Sequence, residues 1–243
     1  MFYSSQVPSN SWYQPSYDAI NAVYPVAYPY NSYRGQMNYF PYAKTSIPYL
    51  RNEPVPLQHS GCISKAEVEL NRTFRTLWEQ HVAWTRMLII SIAADLPDEA
   101  LVTERLLRNA PDMGAVFRRY YGDKIASQFS SLFRDHLVIA AQLVKAAKAG
   151  NNQAAAEAEK RWYANADDIA AFLSSFNPNW PKPVLTKMLY EHLHMTKEEA
   201  VFRLSHKFKS DIETFDQIEK QALEMADAFT DGIVKQFPNL FNK

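Results

Sequence analysis

Three of the six histidines stand where an apolar stripe would otherwise carry leucine. Leu70, Phe74, Leu77, His81, Trp84 and Leu88 follow one another at spacings of 4, 3, 4, 3 and 4, the repeat of one helix face. Ile125, Phe129, Leu132, His136, Ile139, Leu143 and Ala146 repeat that seam, and Leu185, Met188, Leu189 and His192 continue another. An imidazole turned inward has two uses. It can ligate a metal such as Fe, Mn or Zn through a neutral ring nitrogen, or it can fix register by hydrogen bonding to a buried Asp, Thr or backbone group. Spacing alone leaves both readings open.

The metal reading makes definite demands. Helices over 64–96, 123–149 and 181–209 have midpoints near 80, 136 and 195. Stacked side by side, they bring His81, His136 and His192 within roughly 5 Å of one level. The Glu-x-x-His spacing of di-iron bundles is missing, since Trp78, Phe133 and Leu189 lie three residues before the histidines. Thr85, Ala140 and Thr196 lie four residues after them, so no helix supplies two ligands on one face. A site must therefore be assembled across helices, with Asp168 on a further long helix as the completing carboxylate and Asp167 next to it. Glu199 lies about 10 Å along the axis from His192, too far to share an ion.

The elements that must position these rings are all helical. Ser64 with Glu67 is a capping box for the first long helix, which stops at Asp95-Leu96-Pro97-Asp98. A second stretch is broken at Pro111 and ends at Tyr120-Tyr121-Gly122. The His136 helix runs to Gly150, where Lys145 and Lys148 suit its negative end. Asn151 or Asn152 caps the next, with Ala155, Ala158, Trp162, Ile169, Leu173 and Phe176 inward until the proline-rich stretch 177–183. From Pro183 the chain either continues past Thr196 as one helix or breaks there at a second capping box with Glu199; Ser210 with Glu213 opens the last helix. Around Pro111, an ion pair of Arg105 or Arg108 with Asp112 can stitch two half-helices. Short connections imply an all-α, up-and-down antiparallel bundle of four to six helices.

Residues 1–60 are of different material. They hold ten of the 14 tyrosines and eight of the 14 prolines but only five charged residues, with no helical or strand period. This predicts a disordered, tyrosine-rich arm over 1–60 ahead of a bundle domain over 61–243. Its rings suit adhesion to a protein partner or to other copies of the chain.

Composition excludes several function classes. Lys and Arg balance Asp and Glu at 26 each without a basic block, which removes the electrostatic case for nucleic acid. No apolar run reaches the roughly 18 residues of a membrane span. The lone Cys62 and the start MFYSSQVPS predict a cytoplasmic protein without disulfides or a secretory leader. None of the six glycines forms a GxGxxG or GxxxxGK[ST] phosphate loop, so the residues do not support kinase chemistry.

Several long segments, LWEQHVAWTR (77–86), RLLRNAPDMG (105–114), RWYANADDIAAFL (161–173), MLYEHLHMTKEEAV (188–201) and MADAFTDGIVKQFP (225–238), carry a resemblance. They resemble a family of helical proteins of spore-forming Firmicutes that has no established activity, although its members are often labelled acetylglutamate kinase. The likeness covers roughly 65–241 and implies a shared bundle in a cytoplasmic or spore-associated setting, without catalytic residues. Two functions are expected from the whole: a non-enzymatic structural or interaction protein, or a ferritin-like or hemerythrin-like metal-binding bundle.

Overall fold

The computed structural model describes residues 63–241. The arm predicted over 1–60, with Cys62, lies outside the described residues. The elements are α1 Lys65–Ala93, α2 Glu99–Leu107, α3 Asn109–Lys148, α4 Asn152–Phe176, α5 Lys182–Leu204, α6 Phe208–Gln236 and a final 3-10 turn, Pro238–Leu240. There is no strand among the described residues.

Caps and stops follow local chemistry. Ser64 Oγ accepts from the Glu67 N–H at 3.2 Å and Asn151 Oδ1 from that of Ala154 at 3.0 Å, each filling an otherwise empty helix-end donor. Helix α1 closes through Asp95, at φ 52°, with Leu96 N–H returning to Ser91 O at 2.9 Å; α5 closes alike through His206, at φ 57°. That closure at His206 moves the last helix start to Phe208, two residues before the Ser210 cap that the sequence suggests, and Ser210 therefore sits inside the helix. Pro111 does not break a helix either. The interruption falls one turn earlier at Arg108, and Pro111 occupies the first turn of α3, where a missing N–H costs nothing. Arg108 and Asp112 pair across it at 3.1 Å.

Gly122 sets the topology. Asn109 reaches Leu77 O and Phe117 lies against Phe74, so the first limb of α3 runs back down α1; Phe133 then meets Trp78 and Lys148 meets Ile92 O, so the second limb runs up it. The reversal uses φ 79° and ψ 177° at Gly122, a region essentially closed to residues with a Cβ. The two limbs lie close together, with Phe117 and Phe129 rings 4.4 Å apart and no room for a Cβ on Gly114 beside Ser130. Helices α4, α5 and α6 then alternate in direction, and α6 closes the ring antiparallel to α1, with Asn71 bonded to Asp227 at one end and Arg86 to Asp211 at the other.

The interior is uneven along its length. Below the histidine level, Phe74, Phe117, Phe129, Trp180 and Phe229 fill it with rings in contact. Above that level the facing positions include Ala140, Ala141, Ala147, Ala155 and Ala200, which leave space. Helix α5 passes Thr196 without a break, which keeps His192 in mid-helix at that boundary.

Candidate functional site

All three histidines are buried, each 3 % exposed. His81 of α1 and His192 of α5 meet directly, Nε2 to Nε2 at 3.3 Å. Their protonation follows from one amide. Gln221 Nε2 donates to Met188 O at 2.8 Å, so its oxygen faces His192 Nδ1 at 2.9 Å and Nδ1 must carry the proton. His192 Nε2 is then an acceptor, His81 Nε2–H donates to it, and His81 Nδ1 is left as a bare lone pair without a partner. His136 belongs to a second, closed set. Its Nδ1–H donates to Asn165 Oδ1 at 2.8 Å, since Asn165 Nδ2 donates to Leu132 O, and its Nε2 accepts from Trp162 Nε1–H at 3.1 Å.

Electrostatics keep these rings neutral. Burial pulls the His136 and His192 pKa values down to about 4, against the opposing hydrogen bonds to Asn165 and Gln221. Burial lowers His81 well below its ordinary value, and the neighbouring His192 and His136 add to the effect. Trp78 packs edge-on against both His81 and His192, at 5.3 and 6.1 Å between ring centroids.

The histidine level is the floor of a cavity of about 80 Å³. Its walls rise along α1 from His81 to Ile92, along α3 from His136 to Ala147, along α4 from Trp162 to Asn152 and along α5 from His192 to Leu204. Most wall residues are apolar. His81 and Thr196 also carry one side-chain atom each, Nδ1 and Oγ1, that is fully enclosed without a hydrogen-bond partner. On the same wall, Lys197 and Glu159 tie α5 to α4 by an ion pair of 2.7 Å.

Among the four residues that the metal reading assembles, Asp168 does not join the others. It is exposed, lining a surface groove with Leu132 and Asp135, because the inward positions of that stretch of α4 are Asn165, Ala166 and Ile169. Asp167 points to Tyr190, whose hydroxyl donates to it at 2.9 Å. Both nitrogens of His136 are already engaged. Among the described residues no group of three or more His, Cys, Asp and Glu side chains is gathered as metal ligands. Asn165 takes the place foreseen for the carboxylate; its position between Trp162 and Ile169 is the same polar interruption of a stripe that marks the histidines.

A second buried polar group lies between α1, α5 and α6. Arg86 reaches Glu199 at 2.6 Å and Asp211 at 2.8 Å, and Arg203 reaches Asp211 at 3.3 Å; both acids are 1 % exposed. Burial pushes the Glu199 carboxyl up to about 7 against the pull of Arg86. Glu199 is thus a partner across helices rather than a cap for Thr196.

No helix among the described residues is long and apolar enough to cross a membrane. In comparisons with known proteins, the chain matches no family model, no curated protein and no solved structure.

Proposed function

We propose that the bundle is a non-catalytic binding module that takes a small apolar molecule into the cavity above the histidine level. The observation that carries this reading is the cavity itself, apolar along most of its wall and floored by neutral imidazoles. A binding role fits the histidine chemistry better than catalysis does. His136 and His192 are oriented by neutral amides, Asn165 and Gln221, where a general base would use a carboxylate partner. The setting proposed with it is the cytoplasm or the spore of a spore-forming bacterium, supported by the resemblance of the segments quoted above. The tyrosine-rich arm would add adhesion to a protein partner or to further copies.

The test uses benzene and xenon, which enter apolar protein cavities, with the full chain and an Ala200→Leu variant that fills the wall. Both probes should raise the melting temperature of the wild type, because only the folded state offers the cavity, and the variant should respond weakly or not at all. A wild type indifferent to both probes would refute the reading.

A further inference from the structure

We propose that the root of the N-terminal arm, the segment Leu50-Arg51-Asn52-Glu53-Pro54, docks in the groove between α1 and the first limb of α3 of its own chain. This groove, of about 640 Å³, runs from Leu77 and Asp112 at one end to Leu70 and Tyr120 at the other. Leu77 and Val116 are half-exposed along it and Ala115 is exposed, an apolar strip between charged rims. The rims are unequally satisfied. Glu69 is engaged by Lys65 at 3.7 Å and Asp112 by Arg108 at 3.1 Å, whereas among the described residues no acid pairs with Arg72 or Arg119. The Arg119 guanidinium lies over the Tyr120 ring, 5.7 Å from its centroid. Two open cations beside an apolar strip suit a short extended segment that carries one acid among apolar residues.

The arm supplies such a segment close to where the bundle begins. Its two acids are Asp18 and Glu53, and Glu53 stands ten residues before Ile63, between Leu50 and Pro54. From Glu69 to Leu77 the groove is about 12 Å long, about four steps of polyproline II chain. Laid antiparallel to α1, the segment puts Leu50 at Leu77, Glu53 beside Arg72 with Arg119 below it, and Pro54 on the Tyr120 ring, as proline-rich peptides lie on aromatic grooves. Asn109 bonds to Leu77 O, so Asp112 lies roughly one turn below Leu77, the level at which Arg51 falls. Residues 55–63 then lead back to α1. Nine residues reach as far as about 30 Å, and the near end of the groove at Glu69 is only about 6 Å along the helix from Lys65. So short a tether holds the segment at a local concentration of millimolar order, which favours the chain's own arm over that of a second copy.

Trypsin cleavage after Arg51 in the full-length protein tests this, with cleavage after Lys44 and a free peptide of residues 40–60 as references. A docked Arg51 is cut only when the segment leaves the groove, so its rate should be about tenfold below that of the peptide, while Lys44 is cut at the peptide's rate. Arg72→Glu with Arg119→Glu changes two exposed residues, so circular dichroism should show the same helical content, and the Arg51 rate should rise about fivefold. Adding Glu53→Arg, whose bond to Pro54 trypsin leaves intact, should restore protection relative to a peptide with the same change. Arg51 cut as fast in the chain as in the peptide, or protection that survives the charge reversal, would overturn the proposal. Protection that grows with protein concentration, alongside a dimer in size exclusion, would overturn it too by giving the groove to a second copy's arm.

Discussion

Lowering the pH from 8 to 5 should destabilise the bundle, and replacing Glu199 with Gln should enlarge the loss. The folded-state pKa values of His136 and His192, about 4, lie below the ordinary 6.5. The unfolded chain therefore binds more protons between those values, and stability present above pH 6.5 is lost as pH falls toward 4. At 1.36 kcal/mol per pKa unit, each ring withdraws about 2 kcal/mol by pH 5, or about 4 kcal/mol for the pair, and His81 acts in the same direction. Glu199 opposes them. Its folded value, raised from 4.5 to about 7, contributes stability below the unfolded value that is lost as pH rises through 7, an offset of about 2.5 kcal/mol at pH 5. The histidines win, but the wild type shows only the difference. In Glu199→Gln the offset disappears while Arg86 keeps Asp211 at 2.8 Å, so the fall should be about 4 kcal/mol or more. Urea unfolding followed by circular dichroism at pH 8, 6.5 and 5 measures it. Equal stability of Glu199→Gln at pH 8 and pH 5 would refute the assignment of these imidazoles as neutral and buried.

Gly122→Ala should cost about 1–3 kcal/mol through backbone strain alone, because nothing lies within 4 Å of the added Cβ yet φ 79° with ψ 177° is closed to alanine. Chemical denaturation reads the loss, and an unchanged midpoint would contradict the reversal at this residue. Trp162→Phe removes the donor to His136 Nε2 and leaves a buried acceptor unpaired, with an expected cost of about 1–3 kcal/mol. The same substitution should raise the His136 proton affinity little, since that ring stays enclosed, and an NMR titration of the imidazole checks both claims together.

How much of this was legible in the sequence depends on whether a feature is local. Caps at Ser64 and Asn151 and the stop at Asn177 are decided within one turn, so residue types reveal them. The start of α6 is hidden in the sequence because Ser210 and Glu213 match a capping box, while the closure at His206 places a histidine in the left-handed region, where glycine or asparagine is the usual sign. Gly122 was recognised as a helix end. Its sharper role, turning α3 back along α1, depends on contacts with Phe74, Leu77 and Trp78 that no local pattern contains.

The site shows the same division. Helical spacing was enough to bring His81 and His192 to one level, since both rings are fixed by the phase of their own stripes. Phase also decides against Asp168, which lies three residues beyond Asn165 on a helix whose next inward position is Ile169. Charge and approximate height, which favour Asp168, carry no information about that rotation. What spacing cannot reveal is the direction of each proton. The lone pair on His81 Nδ1 exists because Gln221, on α6, spends its amide nitrogen on Met188 O and so orders two imidazoles in turn. Reversing that amide would reverse both rings and turn His81 Nδ1 from an acceptor into a donor. Gln221→Glu tests the relay: a carboxylate still accepts from His192 Nδ1 but loses the bond to Met188 O, and it favours the His192 imidazolium. His192 would then donate through Nε2 as well, which forces His81 to accept there and to carry its proton on Nδ1. NMR of the ring nitrogens should then find the His81 proton on Nδ1 instead of Nε2, and an unchanged tautomer would show that Gln221 does not order the pair.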